Sequence, residues 1–348
     1  MAVIDAGAID KNFKEMGSLD LEGLTYRDAR ELDVYGVTYA DGLFRRMPEN
    51  VAFSVSENIG LISRECAGGR IRFVTDSPYI AIFVKYQAVS KVTSYSNTAT
   101  LGFDLYSRAR YIGAYVPNKD TETELESVVR TPLVGENEYT IYFPVCSEIS
   151  ALYIGVKEGS VLKKAPMYAL NTPIVYYGSS TTQGSSASRP GTTYEGYISR
   201  SLDADYINLG FWGNALGEEK MAEYIASLQM SAFVYDYDYN APNAEHLEKT
   251  HERFFKIIRN AQPNLPIVIC TAPKYELDEE LERRHAIIKA TYENAVKAGD
   301  KKVAFLSGKE MLKEVGDDCL ADSVHPSSVG FLEMAKHIEK ALRKLLDK

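Results

Sequence analysis

Several residues of this chain, widely separated in sequence, could together carry out acyl transfer through a serine. The run from Ile174 to Gly184, IVYYGSSTTQG, ends an apolar β-type segment at Gly178 and delivers Ser179 and Ser180 into a helix start. A serine hydroxyl becomes a nucleophile only when a base takes its proton and N–H groups hold the charge that develops on the substrate. The base has one good candidate. His325 lies in a loop with Asp322 three residues before it, where a carboxylate can fix the imidazole tautomer and stabilise the imidazolium. His246, His251, His285 and His337 sit on charged helix-like stretches and read as solvated positions. Donors to an oxyanion are offered by the glycine-bearing turn Asn208–Asn214, with Gly213 free to bring its N–H close, and by the side-chain amide of Asn240. Each piece also has a plain structural use. Serine caps helices, the Gly210–Gly213 segment makes a turn, and an Asn before Pro242 starts one. Asp236 and Asp238 lack a His or further acids at ligand spacing, so a metal is not expected.

These groups gain weight from the elements that must position them. After the connector KKAPMYALNTP (Lys163–Pro173), strands alternate with amphipathic helices. Strands are predicted at Ile174–Tyr177, Tyr206–Leu209, Ala232–Tyr237, Ile267–Thr271 and Val303–Leu306, and helices at Glu218–Leu228, Ala244–Ala261, Asp278–Ala298 and Ser328–Leu345. Strict alternation implies a parallel five-stranded sheet covered by helices on both faces, with ligands at the carboxyl ends of its strands. Each candidate group follows one of those strands or precedes the last helix, so all can meet at one sheet edge.

The preceding half has a different rhythm. Between about Tyr35 and Val156 it offers the β-rich runs NVAFSV, RIRFVTDS, YIAIFVKY, TLGFDLYS, RYIGAYV, YTIYFP and ALYIGV, separated by turn residues, which predicts an antiparallel, jelly-roll-like β-sandwich. In RIRFV, Arg70 and Arg72 alternate with Ile71 and Phe73, as a sheet with one wet face requires. The expected division is a sandwich over 1–167 and a three-layer α/β domain over 168–348.

Composition narrows the classes further. A net charge of -9 argues against nucleic acid or an anionic membrane as partner. The cysteines Cys66, Cys146, Cys270 and Cys319 follow neither a zinc spacing nor a disulfide framework and read as reduced thiols. The stretch MAVIDAGAIDKNFKEM interrupts any apolar signal core with Asp5 and Asp10, and no segment approaches a bilayer span, so a cytoplasmic protein is the expectation.

With Gly178-Ser179-Ser180, Gly213, Asn240 and Asp322-x-x-His325 in this order, residues 173 to 346 resemble the SGNH hydrolases, also called the GDSL esterase/lipase superfamily. The resemblance implies Ser180 as nucleophile, His325 as base and Asp322 as its orienting carboxylate. It also implies an oxyanion hole made of the Ser180 and Gly213 N–H groups with Asn240, and no cofactor. Two positions depart from the commonest pattern: Ser179 stands where the family's Asp usually does, and Ala241 follows Asn240 in place of Asp. A sandwich ahead of such a domain is similar to the arrangement in esterases that deacetylate plant polysaccharides. The expected activity is therefore removal of short acyl, chiefly acetyl, groups from carbohydrate, with Trp212, Phe211, Tyr194 and Tyr239 facing the sugar. An acyltransferase or a carbohydrate-binding protein with a degenerate site are the alternatives, and assembly into a homo-oligomer is left open.

Overall fold

The computed structural model describes residues 21, 23–118, 121 and 123–347, so the expected absence of an export signal concerns residues outside that set. The first half is a two-stranded antiparallel sheet, Thr38–Ala40 with Leu43–Arg45, and two larger antiparallel sheets. One runs in the order Leu24–Asp28, Ser147–Lys157, Tyr79–Val89, Glu124–Arg130. The other runs Leu162–Lys164, Arg70–Thr75, Asn137–Tyr142, Phe103–Ser107, Arg110–Tyr115, with Asp33–Tyr35 also paired to Arg70–Thr75. Ile71, Phe73, Leu105 and Ile141 of the second interlock with Ile80, Ile82, Leu152 and Ile154 of the first in one core, which makes the pair a sandwich.

Two readings of this half are corrected. NVAFSV lies in a helix, Glu49–Val55, followed at once by a second helix, Glu57–Ile62. A short apolar run is ambiguous by periodicity, and here the decision falls to capping and packing. Ser56 accepts the Ile59 N–H at 3.1 Å. Met47, Ala52, Ile59 and Ile62 complete the core of the following α/β layer, beside Tyr177, Leu209 and Phe211. The second correction concerns Arg70 and Arg72, which are buried rather than wet. Their sheet face is covered by the second half: Arg70 pairs with Asp205 at 2.5 Å and lies 3.7 Å over the Tyr206 ring. A strand that glimpsed no partner in sequence would expose those cations; here aromatic faces and a carboxylate replace water.

In the second half the parallel sheet has the spatial order Ala204–Gly210, Leu170–Gly178, Ala232–Asp236, Ile267–Cys270, Val303–Leu306. The helices Ala244–Ala261 and Ser328–Leu345 have the bounds their periodicity predicts. Glu219–Ser227 and Glu279–Lys297 fall a residue inside theirs at each end, and Tyr194–Leu202 is an additional helix. Two apolar cores line the two faces of the sheet. Register decides where the site lies: Gly178 pairs with both Gly210 and Asp236, so the carboxyl ends of three adjacent strands stand level. Among the described residues no helix is long and apolar enough to cross a membrane.

Candidate active site

Gly178 lets the chain leave the sheet sharply. A Cβ there would meet Asp236 O and Thr182 Oγ1, each at 2.3 Å, so any larger residue would push the next strand or the following helix away. The two serines after it then divide their roles. Ser179 has extended backbone and its Oγ accepts the Thr181 N–H at 3.2 Å, as an N-cap does. Ser180 opens the one-turn helix Ser180–Gln183, and its Oγ lies 2.8 Å from His325 Nε2. His325 Nδ1 in turn lies 2.9 Å from Asp322 Oδ2.

His325 is held largely by its own loop. Asp322 Oδ1 accepts the N–H groups of Val324 at 2.8 Å and His325 at 2.7 Å, while the Ala321 N–H donates to His325 O at 2.8 Å. Burial pushes the Asp322 carboxyl up, but the His325 N–H, the His325 ring and the Val324 N–H outweigh it, so it sits below the ordinary carboxylate value. An ionised Asp322 keeps the Nδ1 proton in place and leaves Nε2 toward Ser180. From the sandwich, Tyr95 packs edge-on against the imidazole, with ring centroids 5.8 Å apart.

Further candidate donors follow the two strands that flank Leu170–Gly178. The Ser180 N–H begins a helix and the Gly213 N–H sits in a turn; neither has a backbone or side-chain acceptor among the described residues. Gly213 has φ +67, and space is open where a Cβ would stand. Asn240 Oδ1 accepts the Ala215 N–H at 3.2 Å, which ties Asn240 to the Gly213 turn and turns its NH₂ away from that bond. Charge developing on a carbonyl oxygen near Ser180 could thus be met by fixed N–H dipoles.

Residues 171–343 match the GDSL-like lipase/acylhydrolase family, and residues 24–162 match the N-terminal domain of SGNH-hydrolase-type esterases. The C-terminal half belongs to the GDSL-like lipase/acylhydrolase family. Among solved structures, a Bacteroides ovatus protein described as a GDSL-like lipase is 27% identical over 93% of this chain and 98% of its own, with a TM-score of 0.83. A salicylyl-acyltransferase from a tetracycline biosynthetic pathway is 20% identical over 93% of this chain and 95% of its own (TM-score 0.71), and an acetyl xylan esterase from the rumen bacterium Butyrivibrio proteoclasticus 14% over 93% and 99% (TM-score 0.62). The last two are similar in fold. No protein of curated function matches the chain significantly.

The acylhydrolase disposes of its aromatic residues differently from expectation. Phe211 and Tyr194 are wholly buried, so neither faces a sugar. Phe211 lies in the core under the Arg46 guanidinium at 4.8 Å, and the Tyr194 hydroxyl donates to Thr182 Oγ1, in the helix Ser180–Gln183, at 3.1 Å. Tyr239 is half-buried, whereas Trp212 keeps 37% of its surface exposed beside Gly213. Two histidines also differ. His251 is fully buried, stacked 4.4 Å from Tyr235 and bonded to Thr291, and burial pushes its pKa down to about 3. His285 is buried beside Asp238. Each lies on the inner stripe of an amphipathic helix, where the charged flanks point outward.

The carboxyls Asp236 and Asp238 are buried and hydrogen-bonded within the fold. Asp236 accepts from Thr182 at 3.2 Å, and Asp238 accepts the Ala272 N–H at 2.9 Å. Burial raises Asp236 well above its usual range and Asp238 to about 6. Sequence reasoning passed over Tyr95, Gln183, Glu65 and Arg46. Gln183 stands within the serine motif itself; the others are in the sandwich half, with no local pattern to mark them.

Proposed function

We propose that this acylhydrolase cleaves short acyl esters, most readily acetyl esters of carbohydrate, by a Ser180–His325–Asp322 mechanism. The observation that carries the reading is the continuous line from Ser180 Oγ to His325 Nε2 at 2.8 Å and from Nδ1 to Asp322 at 2.9 Å. His325 takes the Ser180 proton as Oγ attacks the ester carbonyl. The oxyanion rests on the N–H groups of Ser180 and Gly213 and on the Asn240 NH₂. His325 then gives its proton to the departing alcohol, and water, activated by the same imidazole, releases the acid. The carbohydrate assignment is supported by the fold shared with the acetyl xylan esterase and by the exposed Trp212 next to Gly213.

Replacing Ser180 by Ala should lower kcat on an activated acetyl ester by on the order of 10⁶-fold without unfolding the protein. A folded variant with ordinary turnover overturns the proposal, as would failure of a fluorophosphonate to label Ser180 in the native enzyme. A second reading, transfer of the acyl group to another alcohol, is favoured by the similarity to the salicylyl-acyltransferase over 93% of this chain. Product analysis with competing alcohol acceptors decides between water and alcohol as acceptor.

A further inference from the structure

The two N–H groups assigned to the oxyanion hole stand on elements that cannot fix their own spacing. Ser180–Gln183 is a single helical turn, too short to be rigid alone, and Gly213 sits in a loop. What joins them is a carboxylate from the other half of the chain. Glu65 lies between the helix Glu57–Ile62 and the strand Arg70–Thr75 and is 4% exposed. Its Oε2 accepts a short hydrogen bond from Gln183 Nε2 and another, at 3.0 Å, from Trp212 Nε1. Gln183 Oε1 accepts the backbone N–H of Trp212 at 3.2 Å, which closes a ring of three residues. The remaining Gln183 donor goes to Val145 O at 3.0 Å, again in the sandwich half.

This ring spans the gap that matters. Gln183 is three residues after Ser180 on the same turn, and Trp212 immediately precedes Gly213. The start of the Gly213 loop is held from the same side, since the buried Arg46 donates to Gly210 O and lies over Phe211. Arg46 also feels the charge of Glu65 electrostatically, which places both residues in the same buried region. Two donors thus share one buried acceptor oxygen, and a misplacement of about 1 Å at a reacting geometry can cost on the order of 10²-fold.

We infer that Glu65 is a positioning residue: it sets the distance between the Ser180 and Gly213 N–H groups by holding Gln183 and Trp212 in one hydrogen-bonded ring. The inference rests on the proposed roles of Ser180 and Gly213. It makes the sandwich a working part of the oxyanion hole rather than a neighbour of it.

The test compares Glu65→Ala, Glu65→Gln and Trp212→Phe with the native enzyme, all as full chains, on an activated acetyl ester and with an aryl boronic acid as transition-state mimic. Glu65→Ala should lower kcat about 10- to 100-fold at nearly unchanged KM and weaken the boronic acid by a similar factor. Glu65→Gln keeps an oxygen able to accept both donors and should stay within about threefold of native. Trp212→Phe, which removes the indole N–H and shrinks the ring while keeping an aromatic face, should cost several-fold in kcat, and it keeps the question open to experiment should Glu65→Ala fail to fold. Native kcat and boronate affinity in Trp212→Phe or in folded Glu65→Ala overturn the inference, as does a Glu65→Gln enzyme as impaired as Glu65→Ala. If native Ser180 takes no fluorophosphonate label, the fault lies in the catalytic reading; if it labels normally and the Glu65 variants turn over normally, only the positioning role falls.

Discussion

Ser180 and His325 are secured in opposite ways. Ser180 rests on buried polar partners drawn from across the chain: Tyr194 donates to Thr182, Thr182 donates to Asp236, and Asn208 donates to Thr182 O and Glu195. The Asp322–His325 loop is more open, with side chains 33% and 19% exposed, and its hydrogen bonds run almost wholly between residues 321 and 325. The carboxyls record the difference. Burial raises Asp236, Asp238 and Glu195, while the N–H groups around Asp322 hold it low. One side trades hydration for rigidity; the other keeps a carboxylate charged beside the His325 ring.

Three substitutions, taken with Ser180→Ala as the largest loss, probe that contrast. Asp322→Asn should cost on the order of 10³- to 10⁴-fold in kcat, because an amide no longer stabilises the imidazolium or enforces the tautomer, yet it should barely change Tm because the loop is exposed and local. A drop of many degrees in Tm would show that the loop is structurally coupled after all. Asn240→Ala should cost roughly 10²- to 10³-fold in kcat with little change in KM, the signature of a donor used in the transition state. Unchanged kcat removes Asn240 from the hole.

The smallest expected effect is one of pH. Asp238 has its folded pKa raised from 3.8 to about 6, so folding favours its protonated form. Its contribution to stability is complete below pH 3.8 and is lost as pH rises through about 6. Asp322 has the opposite sign: its folded pKa lies below 3.8, so its contribution is present above that value and disappears only at lower pH. Between about pH 4 and 6.5, therefore, Asp238→Asn should flatten a decline of Tm with rising pH, and Asp322→Asn should leave that slope alone. Parallel slopes in native and Asp238→Asn protein would refute the assignment.

Much of the catalytic half was legible because its signals are local. Alternation of apolar strands with amphipathic helices needs only neighbouring residues to be read: four helices and four of the five strands lie within two residues of where periodicity puts them, while Leu170–Gly178 starts four residues before the expected Ile174. Ser180, Asp322 and His325 could be chosen because sheet topology sends every strand end to one edge. The sandwich half was legible as β-structure but not at its boundary with the other. Arg70 and Arg72 alternate as surface residues do, and NVAFSV is as apolar as a strand; both are explained only by what packs on them.

By itself, then, the sequence determined the two architectures, the order of the chemical groups and the edge at which they meet, since periodicity and chain direction are written residue by residue. Tertiary structure alone decided that Phe211 and Tyr194 are core, and that Tyr95, Glu65 and Arg46 reach across from the sandwich to the site. Those outcomes depend on contacts between residues a hundred or more positions apart. Burial, close approach and hydrogen-bond geometry at such contacts belong to the folded surface of two elements together, and no local stretch of either one encodes them.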